Sequence, residues 1–268
     1  MARSRIVLTL AMLVVLAAAG EAQFRGRGLG VRLATPEDAD GGFHFCRVWF
    51  RSSFNGDGGN WSVDFPRADI NLSIRVSELT KTPVPRDKGG DPKHFVVRLT
   101  DDALYGCPFV MMTEVGSAFF DDKEAARLRD YLLKGGFLWA DDFWGTYAWD
   151  FWINQWRKVL PTSEYPVVDL PLDHPLFHMQ FNVSKVVQIS NIGTWLATGQ
   201  TSERGSDSAT PHARGIADSH GRLMVLMTHN TDFGDSWERE GDSPAYFLAV
   251  GPRGYAFGIN AILYALTH

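Results

Sequence analysis

The stretch Phe137-Leu138-Trp139-Ala140 is apolar at every position and lacks the alternation of a strand with one wet face. A strand of this kind is covered on both sides, as in parallel sheets. Residues 43–50, 94–100, 108–113 and 223–227 also read as strands, and helical patterns fall between them. Asp64 is placed to cap a helix with Pro66 in its first turn and Ile70, Leu72, Ile74, Val76 and Leu79 on its apolar face. Asp121 and Glu124 form a capping-box pair, and Gly135-Gly136 stop the helix that they open. A further helix is expected over residues 147–159, and two short ones near 244–250 and 258–266. Residues 201–213 are polar and read as an exposed loop. The fold class is therefore α/β, a mainly parallel sheet with helices on both faces. Only seven residues, 101–107, separate the second and third strands, fewer than a usual parallel crossover, so the second strand is expected to be short or at an edge.

The first residues of the chain point to a compartment. Arg3 and Arg5 precede a largely apolar run from residue 6 to 19, and Gly20-Glu21-Ala22 supplies small residues at the cleavage positions. This is the pattern of a secretory signal peptide over residues 1–22, cleaved after Ala22, which implies a secreted or periplasmic protein. At 14 residues the run is short of the roughly 20 that span a bilayer, so no stable membrane insertion is expected after cleavage. Residues 23–42 read as a flexible leader and 43–268 as a single domain. The whole chain holds 26 Lys and Arg against 31 Asp and Glu. Cleavage leaves 24 basic and 30 acidic residues, a formal charge of −6, which offers no general pull toward nucleic acid. Cys46 and Cys107 are the only cysteines, and the sequence leaves open whether they are a disulfide or two buried thiols.

In open parallel sheets, ligands sit beyond the carboxyl ends of the strands. Past those ends come Asp101-Asp102, then Glu114, then Asp141-Asp142 with Phe143 and Trp144, then His229-Asn230-Thr231-Asp232, with Asp235 and Glu238 close behind. Each has a plain structural reading. Asp141 or Asp142 can cap the next helix, Asp101 a short turn, Glu114 can hold a loop, and His229 can be a hydrogen-bonded core residue. Their convergence is what points to a site, because clustered carboxylates repel unless a cation, a proton or a donor offsets them. The ligand-binding candidates are Glu114, Asp141, Asp142, Trp144, His229, Asn230, Asp232 and Asp235; the catalytic candidates are Asp141, Asp142 and His229. No H-E-x-x-H spacing is present and residues 230–238 lack the full calcium-loop pattern, so neither a metal nor a cofactor is expected. No phosphate-cradling glycine loop and no G-x-S-x-G turn occurs. A dense aromatic set, Trp139, Phe143, Trp144, Tyr147, Trp149, Phe151, Trp152 and Trp156, is read mostly as core.

Three segments carry a family resemblance. They are residues 64–72 (Asp64-Phe65-Pro66-Arg67-Ala68-Asp69-Ile70-Asn71-Leu72), the run from Gly135 through Asp141-Asp142-Phe143-Trp144-Gly145, and Gly258-Ile259-Asn260 with the closing Tyr264 to His268. Together they resemble the bacterial domain-of-unknown-function family 4159 in its short secreted form, over roughly residues 43–268. The resemblance implies a flavodoxin-like, class I glutamine-amidotransferase-like sheet, a grouping that also includes ThuA-like proteins. Amidotransferases of that group carry a nucleophilic Cys in the turn after the fourth strand and a His followed closely by Glu at a later strand end. Here the turn reads Asp141-Asp142-Phe143, and Asn230 and Thr231 follow His229. Without a thiolate the covalent glutaminase route is closed.

The sequence thus supports an exported domain that binds a small polar ligand, with a carbohydrate as candidate, at the strand-end rim. Two alternatives stand beside it: a hydrolase using Asp141 or Asp142 with His229, and a non-catalytic envelope interaction module.

Overall fold

Among the residues that the computed structural model describes, 31–268, seven strands pair into one sheet. The expected signal peptide lies outside the described residues. In chain order the strands are β1 (Phe45–Trp49), β3 (His94–Arg98), β4 (Phe109–Thr113), β6 (Phe137–Asp141), β7 (Val168–Asp169), β8 (His212–Ala217) and β9 (Leu223–His229). Two short segments, β2 (Arg51–Ser52) and β5 (Ala118–Phe119), pair separately. The spatial order is β3-β1-β4-β6-β9-β8-β7. β3, β1, β4, β6 and β9 run parallel, whereas β8 and β7 are antiparallel additions at one edge. Numbered among themselves, the parallel strands read 2-1-3-4-5, so the winding direction reverses between β1 and β4. β3 lies at an edge of the sheet, and the short link after it passes β1 to reach β4.

Both sheet faces are buried, and alternate residues of each strand go to opposite cores. Val110, Met112, Leu138 and Ala140 face α2 (Asp122–Leu133) and α3 (Gly145–Val159), which supply Leu128, Leu132, Trp152 and Trp156. Phe109, Met111, Phe137 and Trp139 face α1 (Arg67–Leu79) and α6 (Pro244–Thr267), which supply Leu72, Val76, Tyr246 and Phe257. The short helices α4 (Ile192–Thr198) and α5 (Phe233–Glu238) complete the set. The all-apolar reading of β6 thus corresponds to a strand with no wet face.

Several expectations are corrected. The two short terminal helices are one helix, α6, which runs through Pro252. Its carbon-rich surface stays packed on the sheet across that proline, so burial outweighs the lost amide bond. Part of the polar stretch 201–213 enters β8, which pairs along β9. Residues 34–42, within the expected leader, pack on the domain: the Ala34 amide donates to Val96 O at 3.0 Å, and Asp40 meets His44 at 2.8 Å and Lys93 at 3.2 Å. Cys46 and Cys107 form a disulfide with their Cα atoms 6.1 Å apart. The Asp121–Glu124 capping box forms as expected. No helix among the described residues is long and apolar enough to cross a membrane.

Candidate functional site

Among the described residues, four non-glycine ones have left-handed backbone: Asp64 (φ 64°), Glu114 (φ 55°), Asp142 (φ 55°) and Asn230 (φ 61°). Three of them directly follow the carboxyl end of a parallel strand, or stand one residue beyond it. A side chain in this region costs about 1–2 kcal/mol, and such strain persists where the surroundings enforce it, often at working sites. At Glu114, Asp142 and Asn230 the turn swings the chain sharply off the sheet, and backbone bonds lock it. The Glu114 amide donates to Asp141 O at 3.1 Å and the Asn230 amide to Phe143 O at 2.9 Å.

A cavity of about 360 Å³ opens above these turns. Glu114, Asp142, Trp144, Asp232 and Asp235 line it, as the rim argument expects. Asp64, Asn191, Glu203, Arg204 and Arg239 line it too, and these were not legible as site residues. Asp64 is the main correction. It reads as a helix cap, but its side chain makes no cap bond; Pro66 holds the N-cap position, and the Asp64 carboxylate goes to the cavity. Gly58 leaves room for Glu114, since a Cβ there would overlap its carboxylate.

Asp141, His229 and Asn230 do not line this cavity. Asp141 is fully buried; it accepts from the Thr228 hydroxyl and, through Oδ2, from the amides of Phe233 at 2.9 Å and Gly234 at 3.2 Å. It therefore caps α5, not the helix that follows it. Asn230 is a strut: Oδ1 accepts from the Gly145 amide at 2.8 Å and Nδ2 donates to Thr210 O at 2.9 Å. With Asp207, which accepts from the Thr146 amide at 2.9 Å, it satisfies the start of α3. His229 projects toward the aromatic layer under α3, with its ring 4.9 Å from that of Phe143 and 5.1 Å from that of Trp149. Its Nε2 donates to Gly145 O at 3.0 Å and its Nδ1 accepts from Arg214 at 3.2 Å. A carbonyl only accepts and a guanidinium only donates, so this pair selects one neutral tautomer. Burial, with the Arg214 charge added, lowers the imidazole pKa to about 4.

The cavity is strongly acidic. Burial raises Glu114 to about 7, despite a backbone donor from Gly59, and Glu203 and Asp57 add repulsion. Burial likewise raises Asp142, with Glu114 and Asp64 pushing the same way, and Asp232, with Asp142 and Asp64 doing so. Asp64 is raised by burial and by Asp235, against the opposing pull of Arg47. The cations nearby are already committed. Arg47 is buried against Asp69, Arg204 meets Asp57 at 3.3 Å, and Arg239 meets Glu238 at 2.8 Å and Asp235 at 3.4 Å. Trp144 closes one wall, its indole N–H donating to Asp142 Oδ1 at 2.8 Å. Such a site accepts hydrogen bonds from hydroxyls or holds a cation, and it repels anions.

The model of a family described as "Domain of unknown function (DUF4159)" matches residues 45–266. No curated protein matches the chain. The match runs from the first residue of β1 almost to the end of α6 and takes in every cavity-lining segment, so the chain belongs to the DUF4159 family.

Proposed function

We propose that this chain is an exported domain that binds a small polyhydroxylated ligand, such as a sugar, in the cavity at the carboxyl ends of β4, β6 and β9. The observation that carries the reading is the lining itself. Six carboxyl groups from five stretches (Asp64, Glu114, Asp142, Glu203, and Asp232 with Asp235) meet around one opening beside the indole of Trp144. Four of them, Asp64, Asp142, Asp232 and Asp235, are buried; buried acceptors are costly unless donors come to them, and a polyol supplies hydroxyl donors in all directions. The location supports the reading as well, since the crevice lies by the reversal between β1 and β4 where open sheets take their ligands. The 2-1-3-4-5 order fits the flavodoxin-like, amidotransferase-like assignment.

Export rests on the leader sequence, and the Cys46–Cys107 disulfide fits an oxidising compartment. A glutaminase has no support, because both cysteines are held in that bond and Asp142 occupies the turn where a thiol would stand. The hydrolase alternative, with Asp141 or Asp142 as base and His229 as its partner, loses that partner: His229 faces Gly145 and Arg214, not the cavity. The test is a thermal-shift and calorimetric panel of neutral sugars, amino sugars and sugar acids. Neutral or amino sugars should stabilise the wild type and fail to stabilise Glu114→Gln; a chain indifferent to every sugar would sink the reading.

A further inference from the structure

Asp64, Asp142 and Asp232 come from the loop before α1, the turn after β6 and the turn after β9. One carboxylate oxygen of each lies within 4.8 Å of one from each of the others. All three residues are buried, with exposures of 6%, 5% and 3%. A second observation is independent of the clustering. Asp64 Oδ2 is buried and has no hydrogen-bond partner, an expensive state for a carboxylate oxygen. Gly234 faces it, and a Cβ at that position would overlap Oδ2, so the chain keeps this oxygen free of a side-chain neighbour.

From this we infer that Asp64, Asp142 and Asp232 are the protein ligands of a hard divalent cation of the calcium or manganese type. Oxygen atoms around an ion with bonds of about 2.3–2.6 Å lie no more than about 5 Å apart, which the triad satisfies. An all-oxygen set selects a hard ion over zinc or copper, which favour nitrogen and sulfur donors. The ion supplies the counter-charge that the committed arginines do not. A neighbouring triad, Asp64 with Asp235 and Glu238, has similar spacing. It is the weaker site because Arg239 already pairs with both Asp235 and Glu238, whereas neither Asp142 nor Asp232 is held in an ion pair among the described residues. The cation's remaining positions face the cavity, where hydroxyl oxygens of a ligand can bind it. That last step rests on the polyol reading, whereas the cation site itself does not.

The experiment is calorimetric titration of the chelator-stripped full chain with Ca²⁺, Mg²⁺ and Mn²⁺ separately, with Mn²⁺ also followed by electron paramagnetic resonance. One equivalent of at least one ion should bind. Asp142→Asn and Asp232→Asn should each weaken it at least about tenfold, while Glu238→Gln leaves it within about twofold, the loss of a charged ligand being the larger effect. Folding of each variant is checked by circular dichroism, and the wild-type titration stands even if a variant fails to fold. Absence of stoichiometric binding to the wild type, or loss in Glu238→Gln with retention in Asp142→Asn, overturns the assignment. Sugar binding without any ion overturns the cation site and spares the polyol reading; ion binding with no response to sugars does the reverse.

Discussion

Asp141 and Asp142 are adjacent in the chain and do opposite work: Asp141 is sealed under α5, and Asp142 lines the cavity on left-handed backbone. The peptide between them marks the point where β6 ends. One residue earlier the side chain belongs to the sheet's interior, and one residue later it belongs to the site. The pair separates what stabilises the rim from what can act on a ligand.

Asp141→Ala should therefore be a stability defect. It leaves the amides of Phe233 and Gly234 and the hydroxyl of Thr228 without their acceptor in a dry interior. A loss of about 3 kcal/mol is expected in urea unfolding. A change below about 1 kcal/mol would contradict the capping role.

Asp142→Asn should act in the other direction when no cation is present. Removing one acid beside Glu114, Asp64 and Asp232 relieves repulsion in a buried site. In buffer containing a chelator, its melting temperature should exceed that of the wild type by a few degrees, and added Ca²⁺ or Mn²⁺ should no longer raise it. A variant less stable than the wild type in chelator would show that the carboxylate is structural.

Gly234→Ala isolates the space beside Asp64. Gly234 lies within α5, where alanine is the better helix former, so the fold should persist. The added Cβ displaces Asp64 Oδ2, and cation-dependent stabilisation should fall sharply in a thermal-shift titration. An unaltered cation response would remove Asp64 from the ligand set.

His229 predicts a pH effect with a definite sign. Its folded pKa, about 4, lies below the ordinary value of 6.5, so the unfolded chain takes up the proton first as pH falls. The stability it contributes is complete above 6.5 and is lost as pH falls toward 4. Relative to His229→Gln, the wild type should lose several degrees of melting temperature between pH 7 and pH 4.5. A difference that does not vary with pH would mean that the imidazole is not held neutral.

The Cys46–Cys107 bond closes a loop between residues 61 apart in the chain. Cys46→Ala/Cys107→Ala should cost about 3–4 kcal/mol, and a thiol assay on the unreduced, denatured wild type should find no free thiol. Two reactive thiols in that assay would refute the bond.

Much of this protein is written locally. The apolar run 137–140, the Asp121–Glu124 capping box and the Gly135-Gly136 stop depend on neighbours in the chain, and each is seen in the structure as read. The edge position of β3 agrees with the short link between residues 98 and 109, which still carries the chain past β1 to β4. Glu114, Asp142, Trp144, Asp232 and Asp235 were also legible as rim residues, since the carboxyl ends of parallel strands share one border. Tertiary structure alone decided which way those side chains face. Asp64 is an unremarkable acid before Pro66 until the fold carries it to Asp142 and Asp232, 78 and 168 positions away. His229 stands on the expected border, but the two-residue alternation of β9 sends it to the opposite face from the cavity. Burial then completed the selection: an acid in water is ordinary, and the same acid enclosed with two others requires a proton, a donor or a cation.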